Sequence, residues 1–224
     1  MRRLVGVAAT AMMLFTVAGC GDEPSESAEE FVAGIREGYD VDFEPMRSPQ
    51  DALQQSQLIV RGTLVDVFDG VEIDYPDDAV TERARGTYAT FELSVEDVLF
   101  GDESLVTEGS VYVQVAKTPA VSAGDMAAAN PRPSVLAFLI DIGGWSPGEQ
   151  ASVVRPDGLP EDAALLFANP DGLWLQTAND DELVAIHADR YALDPSWDDP
   201  RTLDDMERVV VRCRDADCPP APTP

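Results

Sequence analysis

Apolar and polar side chains follow a strand-like pattern over four segments in the middle of the chain. Residues 58–68, 90–96 and 111–115 alternate or are rich in β-branched side chains, which predicts β-strands with one buried face. Residues 135–140 are apolar throughout, which predicts a central strand covered on both faces. Gly62 lies inside the first segment, where a glycine indicates a bulge or a close approach of two backbones.

Helix-start signals come at three places outside these strands. A Ser-x-x-Glu capping box predicts a short helix over residues 28–37. Ser48-Pro49 predicts a second helix that ends near Gln55, because proline is favoured at the first helical position. Asp199-Pro200 predicts the start of a C-terminal helix, since the apolar residues that follow recur on one helical face. A strand through residues 209–211 is the alternative.

The segments between these elements carry turn and loop signals. Residues 118–133 are small or proline-rich, which predicts a long surface loop. Residues 169–172 read Asn-Pro-Asp-Gly, which predicts a hairpin turn that joins strands over residues 165–168 and 173–177. A further turn is predicted at residues 179–181, ahead of one more short strand.

These elements predict a mainly β fold, either a small antiparallel barrel (OB-like) or a sandwich, with short flanking helices. The glycine-bearing strand and a later strand that ends Val95-Glu96-Asp97-Val98-Leu99-Phe100-Gly101 resemble bacterial envelope domains of the netrin-like type. The resemblance covers residues 48–142 and implies an OB-like barrel of five strands. That family also has N-terminal disulfide cysteines, which this domain lacks, so no functional residue is transferred from it.

The first twenty residues have the features of an exported, lipid-anchored protein. A basic start precedes an apolar run over residues 4–19, which is shorter than the roughly 20 residues that span a bilayer. Val17-Ala18-Gly19-Cys20 resembles the lipobox of bacterial lipoproteins. The resemblance implies a signal peptide over residues 1–19 and a diacylglyceryl group, with acyl chains such as palmitate, on Cys20. An ordinary secretory signal followed by a chance cysteine is the alternative.

The lipobox and the strand pattern together predict four regions along the chain. The signal peptide, residues 1–19, is followed by the lipidated cysteine, a tether and a short helix over residues 20–47. Residues 48–212 form the β-rich globular domain, and residues 213–224 a disulfide-bearing, proline-rich tail. We expect the mature chain on the extracytoplasmic face of the cell membrane, held by its lipid.

The chain is strongly acidic, and this excludes some partners. Removing residues 1–19 removes two arginines and no acidic residue, so the formal charge changes from −27 to −29. Nucleic-acid binding needs basic side chains against phosphates, so a nucleic-acid partner is excluded. A solvated acidic surface suited to a salty exterior is favoured over specific cation binding. Lys117 is the only lysine, and this arginine bias favours a high-GC Gram-positive bacterium as the source.

Two cysteines remain once Cys20 is assigned to the lipid. Cys213 and Cys218 are predicted to form a disulfide, because disulfides persist outside the cytoplasm. Their spacing is longer than the Cys-x-x-Cys of redox proteins, and no histidine lies nearby to complete a zinc site.

The sequence offers little recognisable catalytic chemistry. His187 is the only histidine and follows an apolar run, so a strand-end or surface histidine is favoured over a catalytic one. No nucleophile elbow and no phosphate-binding glycine loop occurs, so no catalytic, cofactor-binding or metal-binding residue is assigned. Calcium stays open as an alternative at the acidic clusters, which are Asp77-Asp78, Asp180-Asp181-Glu182, Asp198-Asp199 and Asp204-Asp205.

Three tryptophans allow a sugar-binding face, but core packing is the favoured interpretation for Trp145, Trp174 and Trp197. Two hypotheses for function follow. The favoured one is a non-catalytic envelope module that binds a protein, a polymer or a small ligand. The other is an extracytoplasmic hydrolase that works through a pair of carboxylates.

Overall fold

The fold was analysed in a computed structural model, which describes residues 27–36, 46, 48–75, 87–143 and 151–215. Its helices are α1 (Ala28–Arg36), α2 (Pro49–Gln55), α3 (Ala123–Ala129) and α4 (Leu203–Arg214). Its strands are β1 (Leu58–Asp69), β2 (Glu72–Asp74), β3 (Thr87–Gly101), β4 (Ser110–Lys117), β5 (Ser134–Asp141), β6 (Ser152–Val154), β7 (Leu165–Gln176) and β8 (Val184–Ala185). The mainly β fold predicted from the sequence is therefore confirmed.

Five of these strands close into a barrel. Around it the order is β4, β3, β1, β5 and β7, and β7 pairs again with β4. The last pairing is parallel, whereas the other four are antiparallel. Closure leaves these strands without a free edge, so the structure is the OB-like barrel and not the sandwich.

Two long strand connections meet outside the barrel. The connection from β1 to β3 carries β2, and the connection from β5 to β7 carries β6. β2 and β6 pair antiparallel as a separate two-stranded sheet. The two connections are therefore joined to each other by backbone hydrogen bonds.

The barrel interior is filled by the inward faces of its strands together with two helices. Phe91, Leu93, Val113 and Leu139 are fully buried in this core. Helix α1 adds Phe31, whose ring centroid lies 6.1 Å from that of Phe91. The helix was predicted from its capping box, and the burial of Phe31, Val32 and Ile35 in the same core explains why so short a helix is stable.

A second apolar layer covers the outer face of β5. Leu136 and Phe138 point away from the barrel interior and pack with α4, α2 and Trp197. The neighbouring residues Val135 and Ala137 belong to the interior core. The prediction that this strand is covered on both faces is confirmed.

Gly62 lies at an irregularity where β1 shifts its register against β3. A Cβ atom at this position would overlap the carbonyl oxygen of Ser94. The close backbone approach predicted from this glycine is confirmed.

The surface loop predicted over residues 118–133 is wrong in its middle part. Helix α3 forms there, with Ser122 as its N-cap and Asp125 completing a capping box. Met126 is buried in the barrel core, so packing stabilises a helix that local composition did not favour.

The hairpin predicted at residues 169–172 is also wrong. Residues 165–168 and 173–176 belong to one strand, β7, because both parts pair with β5. The Asn-Pro-Asp-Gly sequence forms an irregularity within that strand. Here the apolar residues on both sides, which pack into the core, override the local turn preference.

The C-terminal helix begins later than predicted. Its N-cap is Thr202, whose side chain accepts a hydrogen bond from the Asp205 amide. Asp199 has a φ of +46°, which is incompatible with the extended conformation of an N-cap residue. The strand alternative over residues 209–211 is excluded, since these residues lie within α4.

Candidate functional site

A cavity opens where the barrel closes. Residues 112–114 of β4 pair with residues 165–167 of β7. Beyond these residues β4 stays paired with β3, and β7 stays paired with β5. The strands diverge, leaving a cavity of about 390 Å³. We call it the β4–β7 pocket, and its walls are Tyr88, Gln114, Val115, Ala116, Ile140, Ile142, Phe167, Ala168, Asn169, Leu173, Ile186 and His187. Its volume falls within the range of roughly 300–1,000 Å³ typical of small-molecule sites.

The pocket has an aromatic part and an aliphatic part. The rings of Tyr88 and Phe167 stack with centroids 5.4 Å apart and planes inclined by 25°. Both rings are partly exposed, whereas Leu173 and Ile186 are buried. Burial, with a smaller contribution from Tyr75, raises the pKa of the Tyr88 hydroxyl. Tyr88 is therefore neutral at physiological pH.

Gln114 supplies an unusual polar group in this wall. The residue is 2% exposed, and its Oε1 accepts a hydrogen bond from the Val71 amide at 2.9 Å. The Thr90 hydroxyl lies 3.2 Å from Oε1 and 3.0 Å from the Asp69 carbonyl oxygen, and its one hydrogen is shared between them. Because a backbone N–H can only donate, the Val71 contact determines which end of the side-chain amide is oxygen. At the other end, Nε2 has no hydrogen-bond partner among the residues that the structure describes. A buried donor left in this state costs about 1–3 kcal/mol, which a ligand oxygen would recover.

His187 forms another part of the wall. Its Nε2 lies 3.0 Å from the Ala116 carbonyl oxygen, and because a carbonyl only accepts, this nitrogen carries the hydrogen. Burial, with a smaller effect of the charge on Arg36, lowers the pKa of His187 from 6.5 to about 4, although the Ala116 hydrogen bond opposes the change. The ring is therefore neutral at pH 7 and connects the segment after β8 to β4.

Arg36, the last residue of α1, holds the same segment from the other side. Its Nε donates to the Ile186 carbonyl at 2.7 Å, and its Nη2 donates to the carbonyls of Ala185, at 2.6 Å, and Ala188. The pocket wall that carries Ile186 and His187 is therefore fixed before any ligand arrives. This favours binding, because little further ordering is needed.

Several residues singled out in the sequence lie outside the described part of the chain. They are Cys20, Cys218, Trp145 and Asp77-Asp78. Lipid attachment and the disulfide therefore stay predictions. Cys213 lies near the end of α4 and is 8% exposed.

The sequence placed His187 at a strand end, and it does follow β8, although its ring lines the pocket instead of standing on the surface.

Trp174 and Trp197 are each 1% exposed. The indole nitrogen of Trp174 donates to the Asp171 carbonyl at 2.7 Å, and the Trp197 ring packs edge-on against Phe138. For these two tryptophans the core-packing interpretation is confirmed.

The acidic clusters within the described residues form caps, turns and ion pairs. Asp180 Oδ2 accepts from the amide and hydroxyl of Thr177 and from the Ala28 amide, while Asp199 pairs with Arg190. Within these same residues, no group of three or more His, Cys, Asp or Glu side chains is arranged to hold a metal ion. Calcium binding stays an untested alternative.

Asp171 is a buried carboxyl group outside the pocket. It is 4% exposed, and its Oδ2 accepts a hydrogen bond from the Met46 amide at 2.6 Å. Burial raises its pKa, with the Met46 hydrogen bond opposing the change. Among the described carboxyl groups it is the one whose pKa is resolved as raised. Its amide contact indicates a structural link between the segment before α2 and the irregular part of β7.

Two of the polar residues in the pocket wall, Gln114 and Tyr88, were not singled out in the sequence. Gln114 sits between Val113 and Val115, so strand alternation places it on the outward face of β4. Tyr88, on β3, pairs with Ala116 of β4 and lies on that same face. The sequence feature that could have indicated this site is Gln114 itself, a neutral amide at an outward strand position in a strongly acidic chain.

None of the helices in the described residues is long and apolar enough to cross a membrane. No protein-family model, curated protein or solved structure matches the chain.

Proposed function

We propose that the chain is a lipid-anchored binding module on the extracytoplasmic face of a bacterial cell membrane, and that it binds a small molecule in the β4–β7 pocket. The observation that carries this proposal is a preformed pocket whose described wall contains no Asp, Glu, Lys or Arg and includes the Gln114 Nε2 group, which has no hydrogen-bond partner in the described part of the chain. Apolar concave sites with a few fixed polar groups are typical of small-molecule binding.

The chemistry of the pocket supports binding over catalysis. The titratable residues in the described part of the wall are Tyr88 and His187, and burial favours the neutral form of both. Hydrolysis by a carboxylate pair requires two carboxyl groups at the substrate, whereas the wall residues that the structure describes include none. Asp171, the one described carboxyl group whose pKa is resolved as raised, accepts a hydrogen bond from the Met46 backbone amide and is not among the described residues of the pocket wall.

The anchor is supported by the lipobox residues, Val17-Ala18-Gly19-Cys20. Two acyl chains hold a protein firmly on a bilayer, and the acidic body would be repelled by anionic headgroups, so contact through the lipid suits this chain. Metabolic labelling with a clickable fatty acid should tag the full chain but not Cys20→Ala. Equal labelling of both would contradict the anchor.

Ligand occupancy can be tested with a variant that fills the pocket. Ala116 lines the pocket beside Tyr88, so Ala116→Phe should occupy it. Ala178 is exposed in the turn after β7 and lines no part of this pocket, so Ala178→Phe is the matched control for an added phenyl ring.

The full-length chain and both variants would be expressed in a bacterium that lipidates them and isolated in detergent-free membrane discs. Solvent extracts would then be compared by mass spectrometry. A small molecule should be enriched with the wild type and with Ala178→Phe, and lost with Ala116→Phe. Identical extracts from all three proteins would contradict the proposal.

A further inference from the structure

We infer that the β4–β7 pocket binds an uncharged ligand with an apolar, ring-containing body and one hydrogen-bond-accepting oxygen, which meets the Nε2 group of Gln114. This inference rests on the proposed function and adds to it the chemical class of the ligand.

The absence of charge on the ligand follows from the pocket wall. Among the described wall residues there is no lysine or arginine to pair with an anion and no carboxylate to pair with a cation, and burial favours the neutral form of His187. An ion moved there from water would lose its hydration without compensation. The negative field of the whole chain opposes anions further. Fatty-acid anions and phosphorylated molecules are therefore excluded as preferred ligands.

The apolar, ring-containing body follows from the residues that surround the space. Leu173, Ile186 and Val115 form a buried aliphatic surface, and the stacked Tyr88 and Phe167 rings offer an aromatic one. A flat ring gains both burial and stacking against such a pair. A sugar is disfavoured, because most of its hydroxyl groups would lose water without gaining a partner.

The single oxygen follows from Gln114. Its Oε1 accepts from the Val71 amide, which can only donate, so the side-chain amide cannot turn without breaking this contact. The Nε2 group is buried from bulk water and has no partner in the described part of the chain. Because Gln114 belongs to the pocket wall, a ligand bound in the pocket is the group placed to supply this oxygen. A carbonyl, ester, amide or ether oxygen accepts from such a donor.

The test uses the predicted mature chain from residue 20 with Cys20→Ser, which removes the lipid and retains every described residue. Nile red, an uncharged dye with one carbonyl, reports occupancy through its fluorescence. Three competitors share a naphthalene ring: the ketone 2-propionylnaphthalene, the hydrocarbon 2-propylnaphthalene, and the anion 3-(2-naphthyl)propionate. The ketone should compete about ten-fold more tightly than the hydrocarbon, the size expected of one hydrogen bond, and the anion should be the weakest of the three.

Two variants assign the preference to the amide. Gln114→Met keeps the length of the side chain but removes the donor, so the ketone should lose its advantage over the hydrocarbon. Thr90→Val removes one contact to Oε1 but leaves Nε2, so the advantage should remain. If Gln114→Met does not fold, the relative affinities of the three competitors for the unmodified pocket still test the inference.

Equal affinity for ketone and hydrocarbon, or stronger competition by the anion, would overturn this inference and leave the pocket as a binding site of another class. Nile red binding that is unchanged in Ala116→Phe would instead contradict the proposed function itself. The two failures are therefore distinguishable.

Discussion

Acidification should destabilise this protein through His187 in a narrow pH window. The folded-state pKa of His187 is about 4, below its ordinary value of 6.5, because the ring is buried against the barrel. Between these values the unfolded chain binds a proton that the folded chain does not. Stability contributed by the neutral ring is therefore complete above pH 6.5 and is lost progressively as the pH falls toward 4.

The size of the effect follows from the two pKa values. Their difference, at about 1.36 kcal/mol for each pKa unit, corresponds to roughly 3 kcal/mol between pH above 6.5 and pH below 4. Roughly 2.5 kcal/mol of this should be lost by pH 4.5. Because the His187 ring is partly exposed, solvent screening makes these values upper bounds.

The assay is urea unfolding followed by tryptophan fluorescence at four pH values from 7.5 to 4.5. Many carboxyl groups also titrate in this range, so the wild type is compared with His187→Gln. The glutamine amide can still donate to the Ala116 carbonyl but does not bind a proton. The wild type should lose up to about 2.5 kcal/mol more than the variant between pH 7.5 and 4.5. Parallel stability curves for the two proteins would refute the assignment of a buried, neutral His187.

Three further predictions concern the fold. Gly62→Ala should lower the free energy of unfolding by about 2 kcal/mol, because its methyl group overlaps a neighbouring carbonyl. Gly34 lies in α1 with no atom near the added carbon, so Gly34→Ala should instead raise the free energy of unfolding by about 0.5–1 kcal/mol. Similar effects of the two substitutions on stability would reject the close-approach argument. Thr202→Ala should cost about 1 kcal/mol of unfolding free energy by removing the N-cap of α4, and an unchanged urea midpoint would contradict that cap. Unreduced peptide mapping should recover Cys213 and Cys218 in one disulfide-linked fragment, and two free thiols would reject the bond.

The parts of the fold set by local patterns were predictable from the sequence. Ser48-Pro49 specifies the start of α2 through a cap and a favoured proline, and the structure has the helix there. The apolar run at residues 135–140 predicts a strand covered on both faces, as β5 is. These features depend on neighbouring residues alone.

The mistaken predictions arose where distant contacts override local preference. The Asn-Pro-Asp-Gly sequence at residues 169–172 favours a turn, yet both of its flanks pair with β5. Helix α3 is short and rich in alanine, and it is stabilised by the burial of Met126 in the barrel. Its Ser122–Asp125 capping box can be read from the sequence, but the small residues and prolines around it favour a loop.

The candidate site was not predictable for a similar reason. Alternation placed Gln114 on the outward face of β4, but nothing local indicates that Val71 covers that face. The pocket itself exists because β4 and β7, far apart in the chain, pair for only a few residues before they diverge. His187 reaches the pocket through its contact with Ala116, another distant partner.

The central claim, that a ligand oxygen meets Gln114 in the β4–β7 pocket, is tested most directly by nuclear magnetic resonance of the side-chain amide. The Gln114 Nε2 signal would be assigned in ¹⁵N-labelled protein by its disappearance in Gln114→Met, and 2-propionylnaphthalene would then be titrated in. We predict that both Nε2 hydrogens change shift, with one moving downfield as it enters a hydrogen bond, and that 2-propylnaphthalene does not produce the downfield change. Shift changes confined to residues outside the pocket, with the Gln114 signal unmoved by the ketone, would contradict the claim.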